Sequence, residues 1–249
     1  MAVLRGRTAL ITGAASGIGA AIAAAYAGEE AALLLADKNP GLLEASAQTC
    51  RKTAASVTTA VVDVTDADAT KAMVEQCVSD HGRVDVLVNC AGILTEVPLI
   101  DMSVTTWDEM IAVDLRSVFL CCRWAIPHMV EAGWGRVINI ASQLGIKGGE
   151  SLVHYSAAKA GVIGLTRALA REVAPRGVLV NAIAPGPIET PLVEGISQDW
   201  KQAKQAELPL GRFGRPEEVA PTAVLLASDP GGNLYVGQTL GPNSGDVMP

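Results

Sequence analysis

The sequence predicts an α/β protein: a single-domain, doubly wound parallel sheet with helices on both faces. Three features predict it. Short β-branched or Leu-rich runs alternate with longer helical patterns, the runs are almost continuously apolar like strands buried on both faces, and a glycine-rich turn leads from the first run into a helix. No internal repeat, low-complexity tract or Pro/Ser-rich linker interrupts the pattern, so residues 1–249 are read as one domain.

Taken in order, strands are expected at Thr8–Thr12, Ala31–Ala36, Val57–Val62, Val84–Asn89, Gly135–Ile140 and Val178–Ile183. Between them, Ser16–Ala27, Pro40–Ala54, Asp66–His81, Ser103–Ala132 and Ser156–Ala174 are long enough for the crossover helices that parallel strands require. Several ends carry recognisable chemistry: Pro40 after Asn39 suits a helix start, Ser103 an N-cap, and Gly177 after Pro175 a helix end. From Pro185 to Pro209 the rhythm breaks, with Pro and Gly first and Ser197 to Lys201 later. Residues 187–209 are therefore expected to form a substrate flap.

Composition excludes some partners. A formal net charge of -7 with scattered Lys and Arg argues against nucleic acid or an anionic membrane surface. The longest apolar stretches fall far short of the roughly 20 residues that span a bilayer, and no signal-peptide pattern opens the chain. The five cysteines show no metal-ligand spacing. No metal site is expected, and the thiols are read as reduced, in a cytoplasmic protein.

Chemistry concentrates in two places. The first is Thr12-Gly13-Ala14-Ala15-Ser16-Gly17-Ile18-Gly19, where glycines permit a tight turn and let backbone N–H groups approach a pyrophosphate at a helix N-terminus. The second strand then ends near Asp37, placed to bind adenosine ribose hydroxyls and to repel a 2'-phosphate. NAD is favoured over NADP on that ground, with Lys38 as the counter-signal.

The second place is Tyr155-Ser156-Ala157-Ala158-Lys159, whose Tyr and Lys share one helix face at i and i+4. An adjacent ammonium stabilises phenolate, which makes Tyr155 usable as a general base. The fifth strand ends in Asn139-Ile140-Ala141-Ser142, at the carboxyl edge where doubly wound sheets hold their sites, and Ser142 is positioned to orient a reacting oxygen.

With these motifs in order, the chain resembles the short-chain dehydrogenase/reductase family along nearly its whole length. The further motifs are Asp63-Val64 after the third strand, Asn89-Cys90-Ala91-Gly92 after the fourth, and Pro185-Gly186-Pro187-Ile188-Glu189-Thr190. The resemblance implies a Rossmann-like fold in which Gly13, Ser16, Gly17, Ile18 and Gly19 hold the cofactor and Asp63 and Val64 meet the adenine. It likewise implies that Asn89, Ala91 and Gly92 line the cleft, Lys159 binds the nicotinamide ribose, and Pro185, Gly186, Ile188 and Thr190 lie beside the nicotinamide. Ser142, Tyr155 and Lys159 form the implied catalytic core. One position departs from the family: Val113-Asp114-Leu115 has Asp114 where relatives usually carry an Asn that anchors a water in the proton relay. A carboxylate there shifts the proton affinities of its neighbours.

The function expected is NAD-dependent interconversion of a secondary alcohol and a ketone, with oxidation the associated direction. Gln143, Leu144, His154, Pro187 and Trp200 are expected to line the substrate pocket. The competing enzyme reading is an NADPH-dependent 3-oxoacyl-carrier-protein reductase, against which stand Asp37 and a basic rim reduced to Arg136 and Arg176. A non-catalytic nucleotide sensor is the third reading; it would need the glycines but not Ser142, Tyr155 and Lys159. By resemblance the assembly is a homotetramer with interfaces on the two long helices.

Overall fold

A computed structural model describes residues 2–193 and 198–248; the side chain of Trp200 lies outside the described residues, as does the centre of the expected flap. The strands are β1 (Thr8–Thr12), β2 (Ala32–Asp37), β3 (Ser56–Val61), β4 (Val86–Asn89), β5 (Gly135–Ile140), β6 (Val178–Ile183) and a two-residue β7 (Thr239–Leu240). They pair in parallel in the order β3-β2-β1-β4-β5-β6-β7. This is the doubly wound sheet the sequence predicts, and its strand order reverses between β1 and β4.

Among the described residues the helices are α1 (Gly17–Gly28), α2 (Pro40–Cys50), α3 (Ala67–His81), α4 (Val104–Ile111), α5 (Ser117–Glu131), α6 (Leu144–Lys147), α7 (Val153–Val173), α8 (Gln198–Glu207) and α9 (Pro216–Ala227). Two apolar layers cover the sheet. On one face α1, α2 and α9 bury Ile11, Tyr26, Leu33 and Leu226, and on the other α3, α5 and α7 bury Leu10, Leu87, Met129 and Val162. The caps follow the local chemistry: Asn39 accepts from Leu42 N, Ser103 from Thr106 N, and Gly177 takes a φ of +82° between the α7 turn and β6.

Three expectations change. β3 is an edge strand, mostly half-buried, because among the described residues no strand pairs beyond it. The single helix expected at Ser103–Ala132 is α4 and α5 joined by one π-helical turn, Ala112–Arg116, whose extra residue re-aims Asp114. The helix expected from Ser156 starts at Val153 and so contains Tyr155. α9 was not expected, although Arg215-Pro216-Glu217-Glu218 carries a helix-start signature of proline followed by acids.

Candidate active site

A cleft of about 1020 Å³ opens at the carboxyl ends of β1 and β4. It lies at the point where strand order reverses, which is where open parallel sheets leave a crevice. Gly13, Ser16, Gly17, Ile18 and Gly19 line one end. Gly13 is required there: its φ is +67° and an added Cβ would lie 2.7 Å from the Ala91 nitrogen. Gly19 packs against the Gly13 carbonyl, bringing α1 hard against the turn. No acidic residue occupies the first turn of α1, and the Ser16 hydroxyl makes no cap bond. The positive end of the helix is thus left facing the cleft, an environment that favours an anion.

Asp37, at the end of β2, lines the same cleft beside Lys38. Its carboxylate is oriented by backbone donors, accepting from Ala15 N at 3.2 Å and Asn39 N at 2.9 Å. Asp63 and Val64 line the adjoining wall. Bonds from the Thr65 backbone and hydroxyl hold the Asp63 carboxyl below the usual carboxylate range.

At the other end, β5 runs out into Ser142, and α7 brings Tyr155 and Lys159 to the same wall. Both α7 side chains are buried. The Lys159 Nζ donates to the Ile140 carbonyl at 3.0 Å, lies 3.1 Å from Asp114 Oδ2, and sits 5.6 Å from the centre of the Tyr155 ring. Burial pushes the Tyr155 phenol up; Lys159 pulls it down and Asp114 pushes it back, leaving it above its ordinary value. Burial opposes the charge on Lys159, but Asp114 and Tyr155 outweigh it and hold the ammonium above its ordinary value.

Ala91, Gly92, Pro185, Gly186, Pro187, Ile188 and Thr190 also border the cleft. The Pro-Gly segment folds back over the glycine turn, since a Cβ on Gly17 would meet the Thr190 methyl at 3.3 Å. Gln143 and Leu144 line the wall beyond Ser142, with Pro191 to Val193 and α8 opposite.

Two expected site residues are elsewhere. Asn89 is buried behind the cleft, where its amide donates to Asn139 Oδ1 at 2.8 Å and approaches the Cys122 sulfur. A side chain that ends a central strand alternates between faces, and at this register it points into the core. His154 does not line the cleft either. It is fully buried, with Nε2 2.9 Å from the Thr95 hydroxyl, because its place one residue before Tyr155 turns it about 100° round the helix.

Cys90, within the motif after β4, lines the cleft, and burial pushes its thiol up to about 12, so it stands there as a neutral group. The structure also adds residues the sequence did not single out. Lys147 on α6 and Lys204 on α8 both bind Asp246 of the C-terminal segment, at 2.7 and 2.9 Å. Gln143 donates to the same carboxylate. No spacing links these residues, which are up to 103 positions apart, so no sequence signal marks them. Among the described residues no group of His, Cys, Asp and Glu is arranged to hold a metal, and no helix is long and apolar enough to cross a membrane.

A family model described as short chain dehydrogenase matches residues 7–201. The chain belongs to the short-chain dehydrogenase/reductase family. This short-chain dehydrogenase is 40% identical to a 3-oxoacyl-[acyl-carrier-protein] reductase (FabG) of Thermotoga maritima, over 98% of this chain and 99% of that protein. It is 41% identical to the cis-4-hydroxycyclohexanecarboxylate dehydrogenase of Sinomonas cyclohexanicum, over 96% of each. Among solved structures it superposes with a TM-score of 0.92 and 38% identity on a putative NAD(P)-dependent gluconate 5-dehydrogenase from Beutenbergia cavernae with bound NADP at low occupancy, covering 98% of both chains. The protein is accordingly an oxidoreductase of a family that uses NAD or NADP. Its cleft suits such a dinucleotide: an open helix N-terminus for the pyrophosphate, an acid at the end of β2, and a buried Tyr-Lys pair at the far end.

Proposed function

We propose that this short-chain dehydrogenase interconverts a secondary alcohol and a ketone, with Tyr155 as the proton-exchanging group. The observation that carries the reading is convergence: Ser142, Tyr155 and Lys159 share one cleft with the glycine turn and Asp37. The nicotinamide, when bound, supplies or accepts the hydride. The Ser142 hydroxyl orients the substrate oxygen, and Tyr155 exchanges its proton with that oxygen. Lys159 keeps a positive charge beside the phenol and binds the ribose next to the nicotinamide. Gly13, Ser16, Gly17, Ile18 and Gly19 hold the pyrophosphate, Asp63 and Val64 border the adenine, and Thr190 with Pro185, Gly186 and Ile188 covers the nicotinamide end, beside Ala91 and Gly92.

On the cofactor, the fixed Asp37 carboxylate supports NAD, because a 2'-phosphate would face an anion held in place by two backbone N–H groups. Lys38 beside it, and the NADP in the Beutenbergia structure, support the alternative.

On the substrate, the relatives favour the second enzyme reading, a 3-oxoacyl thioester on an acyl carrier protein, since the Thermotoga protein carries that name across its full length. The Sinomonas name supports a cyclic hydroxy acid. Of the two arginines considered for a carrier-docking rim, Arg136 is unavailable: it is buried, stacked on Trp134 and bonded to Asn233. Arg176 is exposed.

A substrate flap within residues 187–209 is supported by Pro187, Leu192, Lys204 and Glu207, which border the cleft. A homotetramer is proposed on the family resemblance and on exposed apolar residues of the long helices, such as Phe119 and Val153. A cytoplasmic location is supported by five unpaired cysteines, four of them buried.

The test is reduced-nicotinamide absorbance with both cofactors against acetoacetyl-CoA, an acetoacetyl carrier protein, and a panel of secondary alcohols. Turnover that falls by about 10² to 10⁴ in Tyr155→Phe, with cofactor binding retained, is the expected result. Cofactor binding without turnover of any compound would instead favour the nucleotide-sensing reading.

A further inference from the structure

The Asp114 carboxylate is fully buried and is set by two contacts from different elements. Its Oδ1 accepts from the Ile93 N–H at 2.8 Å, and its Oδ2 lies 3.1 Å from the Lys159 ammonium. The π-helical turn Ala112–Arg116 aims it there, and Gly92 leaves room: a Cβ on Gly92 would lie 3.0 Å from Oδ2 and 3.6 Å from Lys159 Nζ. A buried unit charge this close to an ammonium is a direct ion pair in a medium of low dielectric, where its field reaches neighbouring groups weakly screened.

The groups around the pair are few. On α7 they are Tyr155, Lys159 and His154; after β4 comes the Cys90 thiol, and after β5 the Ser142 hydroxyl. Glu109 of α4 borders the same cleft, while Arg116, on the same π turn as Asp114, turns away to the Thr65 carbonyl. Cys90 and His154 are kept neutral by burial. Burial pushes the Tyr155 phenol up, and the charges that tune it from there are the Lys159 cation and the Asp114 anion.

Resting on Tyr155 as the proton-exchanging group, we propose that Asp114 is a positioning residue of the reaction: its carboxylate fixes the Lys159 ammonium and cancels part of that charge at Tyr155, which readies the site for ketone reduction at neutral pH. An un-ionised phenol is the form that protonates the oxygen of a ketone as hydride arrives at the carbonyl carbon; the phenol O–H bond breaks and the alcohol O–H bond forms. Oxidation runs the same transfers backwards and needs phenolate at the outset. The equilibrium between alcohol and ketone belongs to the reactants; Asp114 sets the pH window in which each direction is fast. Buried tyrosine, ammonium and carboxylate together leave the phenol above its ordinary value, in keeping with a reductive setting. On this proposal the site serves reduction near pH 7, whereas the NAD association in the sequence reading points to oxidation.

The experiment compares wild type, Asp114→Asn and Tyr155→Phe. Asn keeps the acceptor for Ile93 N–H and removes the charge. Ligand-free proteins are titrated by phenolate absorbance, with the Tyr155→Phe curve subtracted to isolate Tyr155, and kcat/KM is followed against pH in both directions with acetoacetyl-CoA and its alcohol or with whichever pair of the substrate panel is turned over. In Asp114→Asn, the Tyr155 titration and the acid limb of oxidation are expected to move down by about one pH unit or more, as loss of a like charge near a phenol predicts. The alkaline limb of reduction is expected to move with them. Melting temperatures check that the variant is folded, and Asp114→Glu tests rescue. A Tyr155 titration unmoved or raised in a folded Asp114→Asn protein would overturn the proposal. Turnover surviving in Tyr155→Phe would overturn the reading beneath it instead, so the two failures are distinct.

Discussion

Asn89 donates a 2.8 Å hydrogen bond to Asn139, and Asn139 donates in turn to the Thr166 hydroxyl at 2.9 Å. This chain of buried amides joins the ends of β4 and β5 to α7, the helix that carries Tyr155 and Lys159. Substituting Asn89→Ala strands the Asn139 oxygen in the core, which costs about 1–3 kcal/mol. Denaturant unfolding should report that loss, while the affinity for NADH or NADPH by fluorescence titration stays within about threefold (about 0.65 kcal/mol) because the side chain does not reach the cleft. A collapse of cofactor affinity at unchanged stability would return Asn89 to the binding wall.

Asp37 is held in one orientation by the N–H groups of Ala15 and Asn39. Replacing it by Ser removes the charge that opposes a 2'-phosphate and keeps a short polar group. The ratio of kcat/KM for NADP to that for NAD is expected to rise at least about tenfold (about 1.4 kcal/mol). An unchanged ratio would mean that the adenosine ribose lies elsewhere.

The Asp246 carboxylate joins α6 to α8 through Lys147 and Lys204. Burial raises its carboxyl, but the two lysines outweigh burial and hold it below the ordinary Asp value. A depressed folded value means that the clamp is complete above the unfolded value of about 3.9 and is lost as pH falls through the folded one. Asp246→Asn should therefore speed amide exchange in α8 by about tenfold throughout pH 5 to 8, with the difference from wild type closing only in acid. Exchange that matched wild type at neutral pH would show that the clamp does not hold α8.

Much of the site was readable along the chain because its chemistry is local. The glycine turn, the acid at the end of β2, and the Tyr155-Lys159 spacing each sit within one strand-turn-helix unit, where backbone geometry alone brings the groups together. The alternation of apolar strands and amphipathic helices likewise dictated the sheet, since parallel strands need crossovers and each crossover needs a helix. The positions misread were those whose neighbours come from elsewhere. The side to which Asn89 points depends on strand register, and the bonding of His154 to Thr95 depends on how α7 packs against the loop after β4.

By itself, then, the sequence determined the fold and brought together the candidate cofactor and proton-exchange residues, because periodicity and short-range spacing act within single elements. Only the tertiary structure decided what surrounds them. A π turn aims Asp114 at Lys159 across 45 residues, and the Asp246 side chain gathers Lys147 and Lys204. Charges act through space, so their balance at Tyr155 is set only once the chain has folded them together.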